Sequence, residues 1–181
     1  MKNRFFSFLL FSLICGSICV AGESRVRVRS WDQVKYAGET RQKFDFSCGA
    51  SCLGSILHQE GIPYIREEEV VREVLSKRNP LDKEHYYSGL SLLEMKHYME
   101  AKGFRSAGIE PEYDQLDKLI KHGWVVSLIC PMGHPHFIIL LSANNSVVHY
   151  FDPTIGLRRV KRSVFQSIWK KSSLFVFPNN Q

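Results

Sequence analysis

Three residues far apart in the chain, Cys48, His136 and Asp152, are of the types that together perform thiol acyl transfer. A cysteine sulfur attacks a carbonyl, an imidazole takes the thiol proton and returns it to the leaving amine, and a carboxylate fixes the ring's tautomer. Cys48 lies in Phe46-Ser47-Cys48-Gly49-Ala50, at or just before the first turn of an expected helix. Backbone N–H groups and the helix dipole stabilise negative charge at such a place. Gly49 and Ala50 are small and are expected to leave room for a substrate to reach the sulfur. The Cys48 backbone N–H can serve a developing oxyanion, and the side-chain amide of Gln42, a few residues upstream, offers a second donor.

The base must be chosen from seven histidines. His58, His97 and His122 fall on expected helices among exposed neighbours. His136 opens an apolar strand, in Gly133-His134-Pro135-His136-Phe137, so a loop delivers it and the strand holds it; His134 sits in the loop itself. Asp152 ends the next strand, in Tyr150-Phe151-Asp152-Pro153, where a carboxylate leaving a buried segment needs a partner. A hairpin centred on Asn144 would set His136 directly opposite Asp152, close enough for the acid to orient the ring. The rival use of Cys48, His134, His136 and Asp152 is a zinc site, but paired short ligand spacings are missing. The acyl-transfer reading calls for no metal and no other cofactor.

Stepping outward from these residues, the hydrophobic period is helical over Gly49–Glu60, Glu67–Ser76, Leu90–Lys102 and Tyr113–His122. Glu67, Glu68 and Glu69 suit the positive end of the second helix dipole. Asn79 through Tyr87 reads as a loop. After Gly123 the pattern changes to strands at Trp124–Ile129, Phe137–Leu141, Val147–Phe151, Leu157–Val160 and Leu174–Phe177, with a turn at Asn144-Asn145. Helices followed by an antiparallel sheet make an α+β class. Cys52, one turn beyond Cys48, faces inward with Leu53 and Ile56 as a small core residue. Cys130 is expected to be a buried thiol.

At 181 residues, 44% hydrophobic and 23% charged, the chain can build one core of its own. Disorder, collagen, a multi-span membrane protein and a disulfide scaffold are excluded. Lys2 and Arg4 precede an apolar run from Phe5 to Val20 that ends in Ala21-Gly22, the pattern of a secretory signal peptide over residues 1–22. A single domain, 23–181 with its core at about 42–177, is expected to follow. Cys15 and Cys19 each come after isoleucine, unlike a lipoprotein site. Removing the segment takes two of 24 cations and none of 18 acids, lowering +6 to +4. It also leaves an odd set, Cys48, Cys52 and Cys130, so at least one thiol in an oxidising compartment is unpaired or reactive. Arg25-Val26-Arg27-Val28-Arg29 alternates as a solvated basic edge; with few aromatics nearby it gives no nucleic-acid partner.

At Arg41-Gln42-Lys43-Phe44-Asp45-Phe46-Ser47-Cys48-Gly49-Ala50-Ser51-Cys52-Leu53, His136-Phe137 and Asp152-Pro153, the chain resembles the bacteriocin-processing cysteine peptidases. These are double-glycine leader peptidases with a papain-like fold. Ser91-Leu92-Leu93-Glu94-Met95 and Ala101-Lys102-Gly103-Phe104 look like that family's central helix and its stop. The resemblance implies Cys48 as nucleophile, His136 as base, Asp152 as orienter and Gln42 as oxyanion donor. Ser47 stands where exporter-fused members commonly have aspartate. These 181 residues also carry no further apolar span and no phosphate-binding loop of a transporter. The expectation is an exported, periplasmic, envelope or secreted peptidase that cuts a peptide or protein substrate after glycine or a small residue. It would be tethered to a membrane if the signal stays uncleaved. The competing readings are a non-cleaving peptide-binding module on the same fold and an amidase or acyltransferase using the same residues.

Overall fold

After Gly123 the chain is mostly strand, as the change of period leads one to expect. A computed structural model describes residues 41–63, 65–79, 81 and 88–178. The expected signal peptide, the Arg25–Arg29 stretch and most of the Pro80–Tyr87 loop lie outside the described residues. Among the described residues three helices come first: α1 (Cys48–Gln59), α2 (Glu67–Leu75) and α3 (Leu92–Ala101). Then follow β1 (Ser106–Ile109), a short 3-10 turn (Tyr113–Gln115) and α4 (Leu116–His122). The rest is β2 (Trp124–Ile129), β3 (His136–Ala143), β4 (Val147–Asp152), β5 (Gly156–Lys161), α5 (Arg162–Ile168) and β6 (Trp169–Val176).

The six strands form one antiparallel sheet in the order β1-β6-β2-β3-β4-β5. Residues alternate between its faces. Val126, Ile139, Phe151 and Leu174 meet Leu53, Ile56, Val70 and Met99 from the first three helices. Val125, Ile138, Leu140 and Phe175 meet Leu116 and Phe165 from α4 and α5 on the other side. α1 is buried from Cys48 through Leu57 because it runs between the sheet and the other two leading helices. A helix enclosed in this way can hold a side chain at its first turn with little freedom.

Several boundaries differ from those expected. α3 begins at Leu92, not Leu90, because Ser91 and Glu94 close a capping box that terminates the helix there. β6 starts at Trp169, five residues before the apolar stretch that announces it. β1 and α5 were not expected at all: Ser-Ala-Gly-Ile lacks an alternating pattern, and α5 buries only Phe165.

The β3–β4 register also corrects the expected one. Ile139 pairs with Phe151 and Leu140 with Tyr150, after which the register shifts before Ser142 meets His149. Ile138 rather than His136 therefore falls opposite Asp152, so His136 and Asp152 are a diagonal pair. The cause is the turn. The Asn144 side chain accepts the backbone N–H groups of Ser146 and Val147, both at 2.9 Å, and stretches the loop beyond the one-residue centre assumed.

Candidate active site

His136 and Asp152 meet despite the altered register. His136 Nε2 lies 2.9 Å from Asp152 Oδ1, and the side chains are 17% and 8% exposed. The same carboxylate oxygen accepts the backbone N–H groups of Thr154 at 2.8 Å and Ile155 at 3.3 Å. The turn after β4 thereby locks the acid in place. With Nε2 committed, Nδ1 is the ring nitrogen left to face Cys48, whose sulfur accepts the backbone N–H of the residue after His136.

These contacts set the charge of the ring. Burial alone pulls the His136 pKa down, but the hydrogen bonds from Asp152 and Cys48 and their charges overcome it and push it up to about 9. Burial pushes Asp152 up in turn, while the His136 hydrogen bond and charge and the two backbone N–H groups hold its carboxyl below the usual carboxylate range. The imidazole is thus protonated through neutral pH beside an ionised acid. It can balance negative charge on a sulfur and supply a proton to a leaving nitrogen.

Cys48 is the first residue of α1 and is 9% exposed. Its sulfur accepts the backbone N–H of Phe137 at 3.5 Å, which binds the start of α1 to the start of β3. Cys52, fully buried as expected, reaches the Phe137 carbonyl at 3.6 Å with its own sulfur. Two sulfurs one helical turn apart therefore hold the N–H and the carbonyl of the residue that follows His136.

A cleft of about 390 Å³ opens beside the sulfur, walled by Phe46, Leu90, Leu128, Pro135 and Phe137. Its far wall, Ser88 to Ser91, hangs on the Arg78 guanidinium, which donates to the Ser88 and Gly89 carbonyls at 2.9 Å each. Arg78 also forks onto both oxygens of Glu94, at 2.6 and 2.8 Å. That pairing and the Ser91 bonds overcome the burial that would raise the Glu94 pKa and hold it down to about 2.

The described hydrogen bonds of Gln42 go to neighbours other than the sulfur. Its backbone N–H donates to the Pro153 carbonyl at 2.9 Å, and its side-chain oxygen accepts Thr154 Oγ1 at 3.0 Å. Its side-chain nitrogen donates to the Phe44 carbonyl at 2.5 Å, so one of its two amide hydrogens is engaged within its own loop. Gln42 thereby ties the loop before Cys48 to the turn that holds Asp152.

Two expectations about neighbours change. Gly49 does not make room for a substrate. A Cβ there would meet Met95 Sδ at 3.0 Å and Leu90 Cβ at 3.4 Å, so its smallness lets α1 pack against α3. Cys130 is half-buried rather than buried, and no disulfide joins the three described cysteines. His134 is exposed in the loop before β3. Among the described residues no group of three or more His, Cys, Asp or Glu is placed to hold a metal ion, so Cys48, His134, His136 and Asp152 do not form the rival zinc set.

Arg78 and Glu67 belong to the site's surroundings and were not recognised from sequence. Glu67 was read as a helix-dipole partner, yet three successive glutamates at a helix start exceed what the dipole needs. An arginine with acids around it carries no signal of its own.

The chain resembles known proteins over nearly the whole described region. Residues 38–181 match the model of the Peptidase C39 family. The protein is 32% identical over 143 residues to the "Probable functional amyloid protease FapD" of Pseudomonas aeruginosa. That match covers 79% of this chain and 62% of the relative, so the chain spans somewhat under two thirds of the relative's length. Among solved structures, the peptidase domain of Streptococcus ComA, a bifunctional ABC transporter, superposes with a TM-score of 0.61 at 21% identity. The match covers 78% of this chain and 98% of that domain. A double-glycine-motif protease of an AMS/PCAT transporter, solved with its leader peptide, gives 0.60 at 17% identity, covering 78% and 91% of the two chains. The expected α+β, papain-like fold is borne out by these likenesses. Among the described residues no helix is long and apolar enough to cross a membrane.

Proposed function

Because the chain belongs to the Peptidase C39 family of cysteine-type peptidases, we propose that it hydrolyses a peptide bond by thiol acyl transfer at Cys48. The His136 imidazolium, holding the proton given up by the thiol, delivers it to the leaving amine; Asp152 holds the ring and its charge, and the Cys48 backbone N–H and the second amide hydrogen of Gln42 receive the oxyanion. Water then attacks the thioester carbonyl, His136 accepts its proton, and the C–S bond breaks to release the acid and restore the thiol. The observation that carries this reading is that a half-buried imidazole bonds a carboxylate at 2.9 Å and has its pKa raised by the sulfur of a helix-start cysteine, which itself accepts the backbone N–H of the next residue, Phe137.

The substrate is a peptide or protein cut after glycine or another small residue, in keeping with the family resemblance. The name of the Pseudomonas relative directs first attention to an amyloid-forming protein. Lys2, Arg4 and the apolar run to Val20 support a reaction outside the cytoplasm, in the periplasm or envelope.

The test is iodoacetamide labelling across pH, with the modified cysteine located by mass spectrometry, beside cleavage of glycine-containing peptides by wild type and Cys48→Ala. Cys48 is expected to react faster at neutral pH than free cysteine, and Cys48→Ala to yield no product. A Cys48 no faster than free cysteine refutes the reading, and product from Cys48→Ala does so equally.

A further inference from the structure

We propose that Glu67, the first residue of α2, is a positioning residue that sets the nucleophile loop; the inference rests on the peptidase reading of Cys48. Its carboxylate is 1% exposed, an expensive place for a charge unless hydrogen bonds repay the lost water. No lysine or arginine does so in the described contacts: Lys43 Nζ goes to the neighbouring Glu68 at 2.7 Å. Glu67 instead accepts main chain from the loop that leads to Cys48. The Lys43 N–H reaches its two oxygens at 2.9 and 3.2 Å, and the Phe44 N–H reaches one at 3.4 Å. The Ser47 hydroxyl also bonds to it.

The helix-dipole role does not account for this arrangement. Glu68 and Glu69 occupy the same first turn and supply that charge, whereas Glu67 alone is turned inward onto the loop. The consequence at Cys48 is specific. A serine before a helix ordinarily turns its oxygen back to cap the first N–H groups. Here Ser47 does not cap α1; its hydroxyl lies against Glu67 and, at 2.8 Å, the Phe44 carbonyl. Glu67 thus holds the side chain that would otherwise fill the anion-stabilising end of α1. It also fixes the backbone between Gln42 and Cys48, the two sides of the proposed oxyanion site.

The experiment compares Glu67→Ala, Glu67→Gln and wild type, with Tm, kcat and KM on a glycine-containing peptide, and the rate of Cys48 alkylation at neutral pH. Misplacing a reacting group by about 1 Å costs about 10²-fold in rate. Glu67→Ala is expected to lose about that in kcat while KM stays within about twofold, and to slow alkylation about tenfold. Glu67→Gln retains one acceptor oxygen and should recover part of both losses. A purely structural role would lower Tm yet leave both rates of the folded protein unchanged, and that result overturns the proposal. If Glu67→Ala is unfolded at the assay temperature, Glu67→Gln decides: a fall of about threefold or more in both rates supports the role, and a smaller fall overturns it. A wild-type Cys48 that alkylates no faster than free cysteine refutes the peptidase reading itself. A fast wild type beside an equally fast variant removes only the part given to Glu67.

Discussion

Replacing Asp152 with asparagine isolates the charge of the acid from its shape. The asparagine oxygen can still accept the N–H groups of His136, Thr154 and Ile155 that converge on Oδ1, so the ring keeps its orientation while the negative charge is lost. In the native protein His136 is pushed up to about 9 from an ordinary 6.5. At about 1.4 kcal/mol per pH unit that gap is worth about 3 kcal/mol, shared between Asp152 and Cys48 and won against burial. Loss of the acid's charge should lower the value by about 1.5 units, within the range for an opposite charge at contact distance. The sign follows from which form the acid favours. A raised pKa means the protonated ring is stabilised, so activity that needs the imidazolium persists up to about 9 and is lost above it. At pH 8.5 the wild-type ring is about three-quarters protonated, whereas in Asp152→Asn it is about one-tenth protonated, a difference of about eightfold. At pH 6 both are almost fully protonated. The ratio of wild-type to variant kcat, measured from pH 6 to 8.5, should therefore widen about eightfold as pH rises. A ratio constant across that range refutes the assignment of Asp152 as the charge partner of His136.

Two further changes test the framework around the site. Arg78→Lys keeps a cation but cannot reproduce the fork onto Glu94 or hold the Ser88 and Gly89 carbonyls. It should raise KM about fivefold with kcat within about threefold and lower stability by about 3 kcal/mol, the low end for a broken buried pair because the Glu94 side chain is 20% exposed; unchanged KM would show that the Ser88–Ser91 wall does not contact substrate. Gly123→Ala should cost about 1–3 kcal/mol in denaturant unfolding. Its φ of 172° is ordinary extended backbone, but a Cβ there would lie 2.5 Å from the Val176 carbonyl and 2.7 Å from the Phe175 ring. Cys48 alkylation should not change, since Gly123 lies at the start of β2 and away from the sulfur; wild-type stability in this variant would contradict the packing of β2 against β6.

What was legible in the sequence is what local periodicity can mark. Cys48 announces a helix because Leu53, Ile56 and Leu57 follow at helical spacing, and all three are fully buried in α1. His136 and Asp152 stand at strand ends because apolar runs begin or end beside them, and both ends fall where expected. Side-chain hydrogen bonds across long separations leave no such trace. The register slip comes from Asn144 binding two backbone donors within its own turn, which residue type permits but does not announce. Gly49 looks like space for a substrate in the sequence because its contact with Met95 joins two helices far apart in the chain. Glu67 and Arg78 were passed over for the same reason: each acts on a loop in another part of the chain, and neither lies within a motif.

The site joins two layers, and its precision is that of their junction. The sulfur belongs to the helical layer and the imidazole and carboxylate to the sheet, so any sliding of α1 over β3 would separate the sulfur from the imidazole. Apolar packing resists sliding only weakly, because it is non-directional. Directional contacts fall where they oppose that motion. Cys48 and Cys52 hold the N–H and carbonyl of Phe137, and Gln42 holds the Pro153 carbonyl and Thr154 hydroxyl beyond Asp152. Cys52 is therefore more than filler: an alanine there would fit the core but leave the Phe137 carbonyl without the sulfur beneath it. The polar contacts at one end of this largely apolar layer boundary suit the proposed acyl transfer, in which the same ring meets the sulfur in one half-reaction and a water molecule in the other.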